Sequence, residues 1–232
     1  MEISEIIGNQ PPSIVEPSLH DLAQAISPAA RIAGNMERYH ANPWQMIEDK
    51  IIYTFDEVDM LNPVKVFPNY PWLESVTEVW LQNRLFALFK SRRMLITWLM
   101  VFLHTWLAMF RENAAVFFVS SKEEKSDELV RRAKFILDYM PNDMILKPVY
   151  KYTYCKITFP NLQSRIEGVP EGANQLRQYG AAAILDDEIG FWDRPRETFM
   201  ASKPTIDGGG RVSCISSPQE GFFKDLCFDL IR

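Results

Sequence analysis

Cysteine is scarce in this chain of 232 residues. Cys155, Cys214 and Cys227 are its three, too few and too scattered for a disulfide framework, and His20, His40 and His104 join them in no zinc spacing. A fold stapled by cross-links or by a structural zinc is excluded, and a reducing, cytoplasmic setting follows. An excess of basic charge is missing too. Lys and Arg number 25 against 30 Asp and Glu, for a net charge of -5 and a pI near 5.3. No global positive field draws in nucleic acid, so a DNA contact must use a local patch or be weak and transient. A secretory leader is not expected, because the N-terminus is acidic and has no apolar core region. Nor is a membrane span. The apolar run 94–110 carries His104 and is flanked by Arg92, Arg93, Arg111 and Glu112, which suits a helix buried in a globular core. No repeat or low-complexity tract is visible.

What is present is ordinary globular composition, 47% hydrophobic and 24% charged, in a length that buries one sizeable core. Residues 1–41 carry Pro11-Pro12, Pro17 and Pro28 with polar spacing, which reads as an N-terminal extension with little core of its own. Residues 42–232 read as one α/β domain. Its first part holds a strand within 50–55 and a helix over 73–83 through Leu73, Val76, Trp80 and Leu81. Phe67, Tyr70 and Trp72 read as an apolar lid over the sheet edge, ahead of a stack on an adenine.

The run 85–89 is a buried strand, and Trp98, Phe102 and Trp106 recur at intervals of four on a helix over 97–111. Residues 115–119 are apolar throughout, as a parallel strand covered on both faces should be. A helix to about Tyr139 follows, capped by Ser120-Ser121, with Glu123 and Glu124 in its first turn. Its Lys125, Arg131, Arg132 and Lys134 read as a solvated face of mixed sign. Alternating polarity over 150–159 and 162–169 about Pro160-Asn161 predicts an antiparallel edge hairpin, and 167–172 reads as loop. Strands over 181–185 and 211–215 complete a mainly parallel, three-layer α/β sheet.

Chemistry concentrates at three strand ends. After the first comes Lys90-Ser91-Arg92-Arg93-Met94-Leu95-Ile96-Thr97, a tight loop that opens into a helix. That is the setting of a phosphate-binding loop, where backbone N–H groups and a helix N-terminus meet an anion, basic side chains neutralise outer phosphates and a hydroxyl holds magnesium. Thr97 is the candidate hydroxyl; Lys90, Arg92 and Arg93 are the candidate cations. Leu95 and Ile96 depart from the usual pattern, standing where glycine and lysine precede Ser/Thr. The second end carries Asp187-Glu188. Asp187 would hold the metal and Glu188 would polarise the water that attacks the γ-phosphate, with a register that gives Asp186 the metal role as the alternative. The third is Ser216-Ser217-Pro218, whose hydroxyls would sense the γ-phosphate and pass its state onward. In this order the three pieces point to a nucleoside triphosphatase using ATP and magnesium.

That order resembles the N-terminal ATPase domain of the large terminase subunits of tailed bacteriophages. The resemblance rests on residues 90–98, on Asp187-Glu188 followed by Ile189-Gly190-Phe191-Trp192, and on Ile215-Ser216-Ser217-Pro218-Gln219-Glu220-Gly221-Phe222-Phe223, and extends from about Pro63 to Phe223. It implies an ASCE-type P-loop NTPase with a deviant Walker A loop, in which Lys90 matches the displaced lysine and Arg92 or Arg93 its arginine, and a Walker B pair at Asp187-Glu188. It makes Arg177 the counterpart of an arginine that reaches a neighbouring subunit's nucleotide. It implies a DNA-packaging motor that translocates double-stranded DNA, with a portal protein and a small terminase subunit as partners. Such a motor works as a homo-oligomeric ring when assembled and is monomeric alone, in the host cytoplasm and transiently at the procapsid portal. Full terminases carry a C-terminal nuclease for which a chain ending at Arg232 leaves no room, so the expectation is a motor domain that does not cleave DNA. Two alternatives stand beside it: a helicase-like, nucleic-acid-stimulated ATPase, and a non-catalytic scaffold with a degenerate loop, for which Leu95 argues.

Overall fold

The computed structural model describes residues 28–141, 148–172, 176 and 180–228, the first six of these as backbone only. Its first helices are α1 (Pro28–Ala41) and the short α2 (Trp44–Glu48). Tyr39, Trp44, Met46 and Ile47 from these helices are in the core, and Trp106 Nε1 donates to the Tyr39 carbonyl at 2.7 Å. The last third of the sequence-defined extension is therefore tied to the centre of the molecule, whereas residues 1–27 lie outside the described residues. A small antiparallel hairpin follows, β1 (Tyr53–Phe55) with β2 (Val64–Val66). Then α3 (Pro71–Gln82) begins on a proline, which costs a first-turn position no hydrogen bond.

The main sheet has seven strands. In chain order they are β3 (Leu85–Phe89), β4 (Ala115–Ser120), β5 (Lys151–Thr153), β6 (Lys156–Phe159), β7 (Ser164–Pro170), β8 (Ala183–Asp187) and β9 (Arg211–Ser216). In space the order is β3-β9-β8-β4-β7-β6-β5. From β3 to β7 every pairing is parallel, and β7-β6-β5 is antiparallel. The helices α4 (Ile96–Phe110), α5 (Glu123–Tyr139), α6 (Pro195–Asp207) and α7 (Phe222–Cys227) cover it. Alternation along β4 divides the molecule. Val116 and Phe118 join the core under α3, α4 and α5, while Phe117 and Val119 join a second core with Phe199 of α6 and Phe223 of α7. This is the three-layer, mainly parallel α/β arrangement with an antiparallel edge hairpin expected from the sequence, with β9 between β3 and β8.

Helix α4 is buried along nearly its whole length, which is why the sequence shows no polar face there. His104 sits between Trp80 and Phe118 with Nδ1 2.7 Å from the Met100 carbonyl, and burial holds its pKa down at about 4. Among the described residues no helix is long and apolar enough to cross a membrane.

Three local expectations need correction. The single strand read over 150–159 is broken at Tyr154-Cys155, where Cys155 takes a positive φ of 56°, into β5 and β6. Helix α5 is capped at Lys122 with no side-chain cap, not at Ser120-Ser121. Residues 167–170, read as loop, complete β7. Their polarity was misleading because Gly168 is a packing residue: a Cβ there would lie 3.0 Å from the Ser126 backbone and 3.1 Å from Val130. Ser126 Oγ donates to the Val169 carbonyl at 2.7 Å across the same contact. Gly168→Ala is therefore expected to destabilise the protein by about 1–3 kcal/mol through overpacking of α5 on β7, measured as a lowered urea midpoint with an unchanged far-UV circular dichroism spectrum.

Candidate active site

The loop from Lys90 to Leu95 begins where β3 ends. Lys90 N–H donates to the Ser216 carbonyl at 2.9 Å, continuing the β3–β9 ladder by one residue. The loop ends on Leu95, whose φ of 57° and ψ of 7° place it in the left-handed region directly before α4. That is the backbone shape for which a glycine would be chosen; Leu95 adopts it at a steric cost of about 1–2 kcal/mol. Arg93 (φ 63°) and Glu188 (φ 56°) share this conformation, so three strained residues gather at the sheet's carboxyl end.

Across the sheet, β8 delivers Asp187 and the turn after it delivers Glu188. Lys90 Nζ forms an ion pair with Glu188 Oε1 and lies 3.8 Å from Asp187 Oδ1. Thr97 Oγ1 donates to Asp187 Oδ1 at 3.3 Å. From β9, Ser216 Oγ donates to Glu188 Oε2 at 3.2 Å, and Ser217 contributes its backbone N–H at 3.0 Å to the same oxygen. Ser216 Oγ also accepts from Gly190 N–H at 3.1 Å, at a glycine whose Cβ would crowd that hydroxyl to 2.8 Å. Trp192 Nε1 donates to the Asp187 carbonyl at 3.1 Å and pins the tip of β8.

The electrostatics of the three acids differ. Burial opposes the charge of Glu188, but hydrogen bonds from Lys90, Ser217 and Ser216 outweigh it and hold its carboxyl below the ordinary range. Burial pushes Asp187 up to about 6, with the Lys90 charge opposing and the Glu188 charge adding to the rise. Asp186 turns to the opposite face of β8. It accepts from Cys214 Sγ at 3.5 Å, its Oδ1 has no hydrogen-bond partner among the described residues, and burial pushes it up to about 7. Asp187, and not Asp186, is the acid that meets Thr97 and Lys90.

A cleft of about 790 Å³ lies over the loop, between it, the β1–β2 hairpin and α5. Lys90, Ser91, Arg92, Arg93, Met94, Leu95, Ile96 and Thr97 all line it. Lys90 links cleft and carboxylates, since it lines the first and contacts both of the second. Lys90 and Glu188 are in direct contact, as a largely buried ammonium requires a counter-charge. Arg92 and Arg93 are exposed and have no ion pair among the described residues. Met94 is exposed and Ile96 buried in the core. Tyr70 and Trp72 stack on each other at 6.2 Å, Tyr70 on the cleft wall, while Phe67 is core. Arg177 lies outside the described residues.

Thr97 and Asp187 fit a magnesium ion. Both are hard oxygen donors, set side by side at a helix N-terminus. Magnesium takes one or two carboxylates from a protein and the rest of its shell from water and phosphate. Among the described residues no group of three or more His, Cys, Asp or Glu is placed to hold a metal. Arg132 and the hairpin residues Phe55 and Lys65 also line the cleft. Nothing in the local sequence sets them apart, because they reach it through the packing of α5 and the hairpin.

Comparison with solved structures places this fold. Over 75% of the chain it matches the large terminase of bacteriophage HK97, at 13% identity and a TM-score of 0.56. Over 68% of the chain it matches the large terminase ATPase domain of Thermus phage P74-26, at 10% identity and a TM-score of 0.50. The match spans 37% of the HK97 protein and 68% of the Thermus phage domain. No family model matches the chain, and no curated protein sequence does. The resemblance drawn from motif order holds for the fold: the chain has the fold of large terminase ATPase domains.

Asp186 gives the site a pH signature. Its folded-state pKa of about 7 exceeds the value of 3.8 for a free side chain, so the folded state holds a proton that the unfolded chain has released between these limits. Its contribution makes stability fall as pH rises from about 4 to 7, and flat outside that window. Denaturation midpoints measured across it are expected to show this slope in the parent and a shallower one in Asp186→Asn.

Proposed function

We propose that this chain is the ATPase motor domain of a viral large terminase, hydrolysing ATP to drive double-stranded DNA into a procapsid. The observation that carries the reading is the meeting of Lys90, Thr97, Asp187, Glu188, Ser216 and the Ser217 N–H at the carboxyl edge of a sheet with the terminase ATPase fold. Ligands of open α/β sheets bind at that edge.

The roles follow from chemistry. Lys90 gives its ammonium to the phosphate oxygens, which compete with Glu188 for it. Arg92 and Arg93 add charge from the loop, and backbone N–H groups at the start of α4 complete the cradle with Ser91, Met94, Leu95 and Ile96. Thr97 and Asp187 would hold magnesium, which would offset the negative charge on the outer phosphate oxygens. Glu188, anionic and released from Lys90, orients and polarises the attacking water. Ser216 and Ser217 grip the other oxygen of that carboxylate, so a change at Glu188 is felt at the end of β9 and in the segment leading to α7. Arg177 supplies charge to a neighbouring subunit's nucleotide, which couples hydrolysis to assembly in a homo-oligomeric ring. The portal protein and the small terminase subunit are the further partners, in the host cytoplasm.

Two substitutions test the site. Glu188→Gln is expected to leave magnesium-dependent ATP binding in place while single-turnover hydrolysis drops by about 10²–10⁴-fold, the usual worth of a general base; undiminished turnover removes Glu188 from its role. Lys90→Ala is expected to weaken ATP binding by about tenfold or more, the loss of a charge-assisted contact, read by calorimetry, and an unchanged affinity excludes Lys90 as the displaced lysine.

A further inference from the structure

The basic run on α5 divides into different environments. Arg131 is spent on structure: its Nε donates to Asp127 at 2.6 Å, and Asp127 in turn accepts the Cys155 N–H at 2.9 Å. Lys134 pairs with Asp138 one turn on. Arg132 differs from both. It lines the cleft over the phosphate loop, its guanidinium lies over the Trp98 ring at 5.4 Å, and its charge is felt at Asp187. Its Nη2 donates to Glu128 at 2.6 Å, the one hydrogen bond it makes among the described residues. A guanidinium has five N–H donors in a planar fork, so most of its donor capacity is uncommitted.

Trp98 belongs to the first turns of α4, immediately after Thr97. The cation–π contact with it holds the guanidinium beside the loop, and a guanidinium fork can take two oxygens of a phosphate at once. Glu128 is a weak competitor, because it is exposed on the same helix face and such i,i+4 pairs are worth little in water. We propose that Arg132 is a ligand of the nucleotide's phosphate chain, reaching it from α5 across the cleft from Lys90, with Glu128 as its partner when no phosphate holds it. This rests on the reading of the cleft as an ATP site. It assigns to the same subunit a cation that neither the loop nor Arg177 provides.

The test is calorimetry of the chain with magnesium and a non-hydrolysable ATP analogue, for the parent, Arg132→Gln, Arg132→Lys and Glu128→Gln, with thermal melts to verify folding. Arg132→Gln is expected to lose about tenfold or more in affinity, as for one charge-assisted contact. Arg132→Lys, which keeps charge and stem but not the fork, is expected to recover part of it. Glu128→Gln is expected to bind as the parent does or tighter, since it frees the arginine. Equal losses in Arg132→Gln and Glu128→Gln would mean that the pair only braces α5 and would overturn the proposal, as would parental affinity in Arg132→Gln. A parent that binds no nucleotide would overturn the ATP-site reading itself, and this inference with it.

Discussion

The ammonium of Lys90 is the point on which the site's geometry turns. Its side chain is 9% exposed, so its charge must be met by protein, and Glu188 and Asp187 meet it. That requirement fixes the loop after β3 against the tip of β8, two strands away, and brings the end of β9 between them through the Ser216 and Ser217 contacts with Glu188. A buried ion pair of this kind contributes little net stability, because desolvation of both charges offsets their attraction. On the proposed ATPase reading the pair is exchangeable: an anion that satisfies the lysine frees a carboxylate at the same moment.

The strained backbone has the same location. Arg93, Leu95 and Glu188 all take left-handed conformations that cost a residue with a Cβ. Leu95 stands where ordinary phosphate loops have glycine, and it takes a left-handed conformation that glycine adopts freely. It thus makes, at a steric cost, the turn before α4 that a glycine would make without one. A net charge of -5 is no obstacle to a polyanionic ligand when Lys90, Arg92, Arg93 and Arg132 converge on one cleft.

Much of the fold was legible because it is written in periodicity. The apolar run at 115–119 is a parallel strand covered on both faces and reported itself as such, whereas the run at 85–89, read as a buried strand, is a parallel strand at the sheet's edge with Phe86 buried and Leu85 exposed. The junction at β7 was not legible, since its pairing changes direction between β4 and β6 and Gly168 answers to a helix distant in sequence. In the site, residue types next to strand ends were readable: Lys90, Thr97, Asp187, Glu188 and Ser216 meet in space. The choice between Asp186 and Asp187 needed the strand's register, which turns alternate side chains to opposite faces. Ser217 acts through its backbone N–H, which its residue type does not report. Arg132 was invisible as a site residue, because its place depends on how α5 packs on α4.

The most direct measurement is a crystal structure of the chain with magnesium and a non-hydrolysable ATP analogue. The account predicts the triphosphate in the cleft over residues 90–97, Lys90 Nζ moved from Glu188 to phosphate oxygens, and the metal between Thr97 and Asp187. A nucleotide bound elsewhere, or one in the cleft with Lys90 still held by Glu188, would contradict it.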